Sequence, residues 1–164
     1  MKLLKNLPLL ALLAILTFSC TTDSIDEKAD DLVENLVVPP TKTIEIEILE
    51  LINNHRLSLG LNPLADLTIV KSVAYSHTDY MVDKNEVSHD NFYTRSNYLK
   101  SKAGAKKVSE NVAYGYSSAE SVVKAWIRSD GHRATIEGDF SNFNISAEKN
   151  EDGKWYYTNI FIKK

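Results

Sequence analysis

The 164-residue sequence predicts an α+β domain in which several helices pack on a small antiparallel sheet. Three observations carry that prediction. Apolar residues recur every three or four positions through much of the chain. After Phe143 the period changes to strict alternation, and Asp152-Gly153 stands between two alternating runs as a hairpin turn would. With 43% hydrophobic and 25% charged residues, the composition fits one ordinary globular domain plus some unpacked sequence, and it does not suggest two domains.

The elements follow in order. Thr43 is placed to cap a first helix whose apolar stripe is Ile44, Ile48, Leu51, Ile52 and Leu59, with His55 in phase, and Gly60 stops it. Asn62-Pro63 turns the chain. Asp66 is placed to cap a second helix with the face Leu67, Val70, Ala74, His77 and Met81, ending near Asn85. A third, weaker helical stretch runs from Tyr93 to Lys102 and closes at Gly104, and Val108 to Tyr114 adds a strand. Ser118 caps a fourth helix carrying Glu120, Val122, Val123, Ala125, Trp126 and Ile127, which Asp130-Gly131 breaks. Phe143, Ile145 and Ala147, then Trp155, Tyr157, Asn159 and Phe161, make the hairpin. On their apolar stripes His55 and His77 read as satisfied packing residues at the core margin. Trp126, Trp155, Tyr156 and Tyr157 read as core or its border, and Arg56 and Arg133 as partners of acids or caps of helix ends.

The first twenty residues are sequence of another kind. Lys2 and Lys5 precede an apolar run from Leu7 to Phe18, interrupted only by Pro8 and Thr17 and ending in Ser19-Cys20. That is a charged n-region and an h-region too short to span a bilayer comfortably. Cys20 is the only cysteine, so it has no intramolecular disulfide partner. The expectation is a lipoprotein signal peptide over 1–20, with lipidation of Cys20, an acidic tether over 21–42 and the folded domain over 43–164. Ordinary cleavage nearby, or a retained anchor, are the alternatives, because Thr17 and Phe18 are unusual in such a box. Asp23, Asp26, Glu27, Asp30, Asp31 and Glu34, relieved only by Lys28, followed by Pro39-Pro40, cannot bury enough apolar surface to fold alone. Loss of Lys2 and Lys5 with the signal takes the net charge from −3 to −5. That balance lacks the basic excess a nucleic-acid partner demands. The expected location is the cell envelope, at the outer membrane or cell surface, with the membrane engaged through the Cys20 anchor.

Four residues stand out for chemistry: His89 after Ser88, Glu110 in Ser109-Glu110-Asn111, Glu120 in Ser118-Ala119-Glu120, and His132 in Gly131-His132-Arg133. The two histidines are 43 residues apart, so no local metal motif is present and only a fold can unite them. Ser88 and Ser109 adjoin His89 and Glu110, but neither lies in a nucleophile-elbow sequence. Gly138-Asp139 and Asp152-Gly153 lack the surroundings of a phosphate or calcium loop and read as turns.

From Asn53 to Phe161 the landmarks fall in one familiar order. Asn53 and Arg56 come with Gly60 and Pro63-Leu64, then Ser88-His89, then Glu110-Asn111-Val112-Ala113 with Gly115. Ser118-Ala119-Glu120 leads to Trp126, followed by Ser129 with Gly131-His132-Arg133 and Ile136, and by Trp155-Tyr156-Tyr157-Thr158 before Phe161. In this the chain resembles the bacterial CAP domains, the superfamily of cysteine-rich secretory proteins, antigen 5 and pathogenesis-related 1. Glu110 to His132 is the specific part.

The resemblance implies an α-β-α sandwich with a central cleft holding two histidines and two acids, which on this chain are His89, Glu110, Glu120 and His132. Glu120 is chosen over Ser121, which a one-residue slip relative to Trp126 would put in its place. Ser109 and Asn144 stand where glycines are common, and the disulfides of many eukaryotic relatives are absent. Two imidazoles and one or two carboxylates suit a divalent ion, zinc first, with the acids either completing the shell through water or orienting the rings. The same four groups equally suit a hydrogen-bonded network that ties elements together. Activities attributed within the family include proteolysis, sterol or lipid binding, and protein recognition, and fold does not choose among them. The sequence thus points to an envelope-anchored binding or scaffolding module for a protein, peptide or lipid ligand, leaning away from catalysis. The alternative is a metal-dependent hydrolase, protease or esterase, acting on envelope substrates.

Overall fold

Residues 36–164, which the computed structural model describes, run in the order α1 (Thr43–Ser58), β1 (Ala65–Asp66), α2 (Thr68–Lys84), α3 (Phe92–Ala103), β2 (Lys107–Tyr114), α4 (Ala119–Arg128), α5 (Asp130–Ile136), β3 (Asn142–Lys149) and β4 (Trp155–Lys163). The expected signal peptide, Cys20 and the first part of the expected tether lie outside the described residues. Among the described residues no helix is long and apolar enough to cross a membrane.

The strands form one sheet in the order β1-β3-β4-β2. Strand β4 pairs antiparallel with β2, from Lys107↔Lys163 to Tyr114↔Tyr156, and with β3 around the Asp152-Gly153 turn. Being central, β4 is buried on both faces from Tyr156 to Ile162. Its odd positions, Tyr157 and Phe161, join Phe143, Ile145 and Ala113 in a core with Ile48 and Ile52 of α1, Val122 and Trp126 of α4 and Ile136 of α5. Ile160 and Ile162 face the other way, onto Val70 and Val73 of α2 and Leu99 of α3. The result is an α-β-α sandwich with β2 at one edge.

Several local expectations are corrected. The sheet is mixed, because β1 pairs parallel with β3 at Ala65↔Asn142 and Asp66↔Phe143. Ala65 N–H donates to Ser141 O at 3.1 Å, so Asp66 belongs to a strand and Leu67, with no side-chain cap, takes the N-cap of α2. At α1 the N-cap is Lys42, not Thr43; its N–H donates to Glu45 Oε2 at 2.7 Å, one turn on. Asp130-Gly131 does not end α4. Ser129 is extended and closes α4, and the pair opens the short helix α5. Ser118 does cap α4, accepting from Ser121 N–H at 3.2 Å.

The packed chain begins ahead of Thr43. Leu36 packs on the α2–α3 core, and Lys42 Nζ reaches Glu148 at 2.5 Å. Behind it lies an ion pair the sequence did not announce, Glu45 with Lys71 at 2.5 Å, their side chains 0% and 3% exposed. Glu45 Oε1 accepts Ala147 N–H at 2.8 Å, and Lys71 Nζ donates to Ile145 O at 2.9 Å, so the pair locks α1 and α2 to β3. Arg56, also buried, donates to Asn62, Ile136 and Gly138 carbonyls at 2.9, 2.6 and 2.9 Å and so closes the C-terminus of α5. Arg133 donates to Ile127 O at 3.2 Å and to Asp130 at 2.7 Å.

Candidate functional site

Because side chains alternate along a strand, the neighbours Glu110 and Asn111 of β2 leave the sheet on opposite faces. Glu110 enters the α2–α3 side and Asn111 the α5 side. As β2 is an edge strand, elements from both layers meet around it.

On the first side Glu110 is held from three directions. Arg95 of α3 forks onto it, Nε to Oε2 at 2.9 Å and Nη2 to Oε1 at 2.8 Å. His89, in the loop between α2 and α3, places Nδ1 2.9 Å from Oε1. His77 of α2 lies behind, its Nε2 3.8 Å from Oε1 and 2.8 Å from Ser88 O. Burial alone would raise the Glu110 carboxyl, but the His89 hydrogen bond and the Arg95 guanidinium outweigh it and hold it below the ordinary carboxylate range. Facing an anionic oxygen, His89 Nδ1 must be the donor, which leaves Nε2 as the ring's unprotonated nitrogen whenever the ring is neutral. The His89 side chain is 53% exposed, against 1% for Glu110. His77 is the opposite case: burial, then the neighbouring Arg95 charge, push it down to about 4, so it is neutral at ordinary pH.

On the second side Asn111 Nδ2 donates to His132 O at 3.1 Å, and Ser109 Oγ meets Thr135 Oγ1 at 3.2 Å. Ser109, where a glycine was expected, thus ties α5 to β2. His132 Nδ1 lies 2.8 Å from Ser129 Oγ. Burial first, then the charge of His89, lower its pKa, which favours the neutral ring. Among the described residues neither His89 Nε2 nor His132 Nε2 has a hydrogen-bond partner.

The structure therefore joins His89 to Glu110 on one side of β2 and sets His132 beside Asn111 on the other. Glu120 goes elsewhere: it is exposed on α4 and lines a groove with Leu51, Val123, Lys124, Ile127 and Arg128. Ser121 is occupied in the cap, its Oγ donating to Ser118 O at 2.8 Å. Among the described residues no three His, Cys, Asp or Glu side chains are grouped as a metal shell. What the sequence reasoning missed is Arg95. Its signal was helical phase, since it falls four residues before Leu99 on the buried stripe of α3. His77 and His55 are satisfied, the latter against Glu137 at 2.9 Å. Trp126 and Tyr157 are core residues with their polar atoms answered, Nε1 by Val112 O at 3.1 Å and the hydroxyl by Tyr116 O at 2.7 Å.

Residues 49–161 match the family model described as "Cysteine-rich secretory protein family", CAP. The chain belongs to the CAP family. The domain is 30% identical over 126 residues to the uncharacterized membrane protein YlbC of Bacillus subtilis, covering 74% of this chain and 35% of that protein. It is 38% identical over 96 residues to the uncharacterized protein YkwD of the same organism, covering 56% and 37%. The chain thus spans about a third of the length of these two relatives. Among solved structures, an outer surface protein of Borrelia burgdorferi superposes with a TM-score of 0.69 at 21% identity, covering 79% of this chain and 99% of that one. An extracellular SCP-domain protein of Bacillus anthracis gives 0.64 at 26% identity, covering 77% and 45%. The α-β-α sandwich of this CAP domain is the fold those structures share.

Proposed function

We propose that this chain is an exported CAP-domain lipoprotein of the cell envelope, anchored through Cys20, and that its cleft is a binding site in which His89 and His132 hold a divalent ion through their Nε2 atoms. One observation carries the cleft reading: both Glu110 oxygens are already engaged by Arg95 and His89. A carboxylate so placed orients an imidazole and raises its basicity as a ligand, the arrangement common behind histidines that bind metal. Two nitrogen donors suit an ion of the zinc type, with water or an atom of the bound partner as the remaining donors. Such an ion would supply positive charge with which to hold an anionic or carbonyl group of a ligand.

Binding fits better than hydrolysis. A general base must release its partners to take a proton, and Glu110 is held by a bidentate guanidinium inside the fold. The envelope location is supported by the signal-like sequence ending at Cys20 and by relatives named as membrane, outer surface and extracellular proteins.

Calorimetric titration of the tag-free protein with zinc tests the site. A saturable heat that disappears in His89→Ala/His132→Ala is expected; a heat unchanged by both substitutions would exclude the site. Palmitate labelling tests the anchor separately. Incorporation in the wild type and none in Cys20→Ser is expected, and labelling that persists in the variant contradicts it.

A further inference from the structure

The sequence shows no continuous basic run, yet the fold builds a basic pole. The last turn of α3 carries Lys100 and Lys102, the loop after it Lys106, and β2 opens with Lys107, which antiparallel pairing sets opposite Lys163, beside Lys164. Lys106 N–H donates to Lys163 O at 2.7 Å, which joins the two sequence-distant groups at one end of the sheet. Five of the six are exposed and Lys163 is half-buried. Among the described residues only Lys163 is in an ion pair, with Asp139 at 2.6 Å. The hydrogen bond from Lys163, with the charges of Lys163, Lys107 and Arg56, outweighs desolvation and depresses the Asp139 carboxyl, as expected beside an excess of positive charge. In a protein of net charge −3 this is a segregated patch.

The chain enters the described region beside this pole. Leu36 packs on a cluster that includes Leu99, Ala103, Ala105, Val108 and Ile162, the residues interleaved with those lysines. Immediately before Leu36 stand Glu34, Asp31 and Asp30, with Glu27, Asp26 and Asp23 further back and only Lys28 opposing them. At about 3.5 Å per residue, Glu34 lies within roughly 7 Å of the Leu36 seat along the chain.

We infer that the acidic segment 23–34 docks on the lysine pole formed by Lys100, Lys102, Lys106, Lys107, Lys163 and Lys164, a salt-sensitive latch between the domain and the stretch that leads to its N-terminus. Charge complementarity and the Leu36 seat select this occupant. An anionic membrane competing for the same lysines has to displace a covalently attached rival whose effective concentration is on the order of millimolar. The latch does not depend on the metal reading of the cleft, nor on whether Cys20 is acylated. Exposed ion pairs fade once the screening length shrinks, from about 8 Å at physiological salt to about 3 Å at 1 M, so ionic strength opens it.

Zero-length carbodiimide cross-linking of the purified full chain in neutral detergent, read by mass spectrometry, tests the inference. Links from Glu34, Asp31 or Asp30 to Lys102, Lys106 or Lys107 are expected, falling about tenfold at 1 M salt as screening removes the attraction. In Lys106→Gln/Lys107→Gln, whose exposed side chains leave the melting temperature unchanged, links to Lys100 and Lys102 should also fall. Links spread evenly to Lys84, Lys124 and Lys154, links unchanged at 1 M salt, or capture of phosphatidylglycerol vesicles with no intramolecular link would each overturn it.

Discussion

Glu45 and Glu110 are both buried carboxylates paired with a buried cation, yet they do different work. Around Glu45 every contact closes inward: Lys71, the Ala147 and Lys42 N–H groups, and beyond them the Ile145 carbonyl. Around Glu110 one contact opens outward, because His89 donates its Nδ1–H to the buried oxygen and exposes about half of its side chain. A buried ion pair by itself is weak evidence of function, since breaking it is costly whatever its purpose. The distinguishing feature is whether a titratable, ligating group leads from it to solvent.

The comparison can be broken at its structural end first. Lys71→Met strands the Glu45 charge in the core and should cost about 3–5 kcal/mol of stability, measured by urea denaturation, while the zinc heat per folded molecule stays unchanged. Lost zinc binding at conditions where the variant remains folded would erase the distinction.

His77 gives the next largest effect, through pH. Unfolded, it takes a proton near the ordinary 6.5; folded, only near about 4. The unfolded chain therefore binds more protons between those values, so stability is full above about pH 6.5 and falls as pH drops toward 4, by roughly 2–4 kcal/mol. Glu110, with its pKa depressed, contributes stability above its ordinary 4.5 and loses it as pH falls from there through its lower folded value, so its loss starts only at the acid end of that window. Urea midpoints from pH 7 to 4.5 should slope in the wild type and flatten in His77→Gln.

Glu110→Gln keeps the shape and some of the hydrogen bonding but leaves Arg95 without its counter-charge, and a loss of about 2 kcal/mol is expected. Zinc affinity should drop about 10–100-fold, the usual penalty for removing a carboxylate behind a ligating histidine. The smallest stability effect belongs to His89→Ala, under about 1 kcal/mol because the side chain is half in solvent, although zinc binding should disappear with it. Thermal melting with and without zinc reads both.

Much of this was legible from residue order. The helical stripes located four of the five helices, and alternation around Asp152-Gly153 gave the hairpin, because both periods follow from burying one face. The order of motifs singled out His89 and Glu110, which the fold sets 2.9 Å apart. What escaped notice has common physical causes. Asp66 reads as a cap locally, but a strand partner nearly eighty residues later claims its backbone. Lys71 and Arg95 look like solvent-facing charges until the partner that neutralises each is known, and those partners, Glu45 and Glu110, lie 26 and 15 residues away. Glu120 has the right chemistry for the cleft but the wrong helical phase, one residue from the position that Ser121 uses for the cap.

The most direct measurement is long-range ¹H–¹⁵N NMR of the histidine rings, without and with zinc. The account predicts that neutral His89 carries its proton on Nδ1, held there by Glu110, and that zinc shifts Nε2 of both His89 and His132. A His89 ring protonated on Nε2, or Nε2 resonances that ignore saturating zinc, would contradict it.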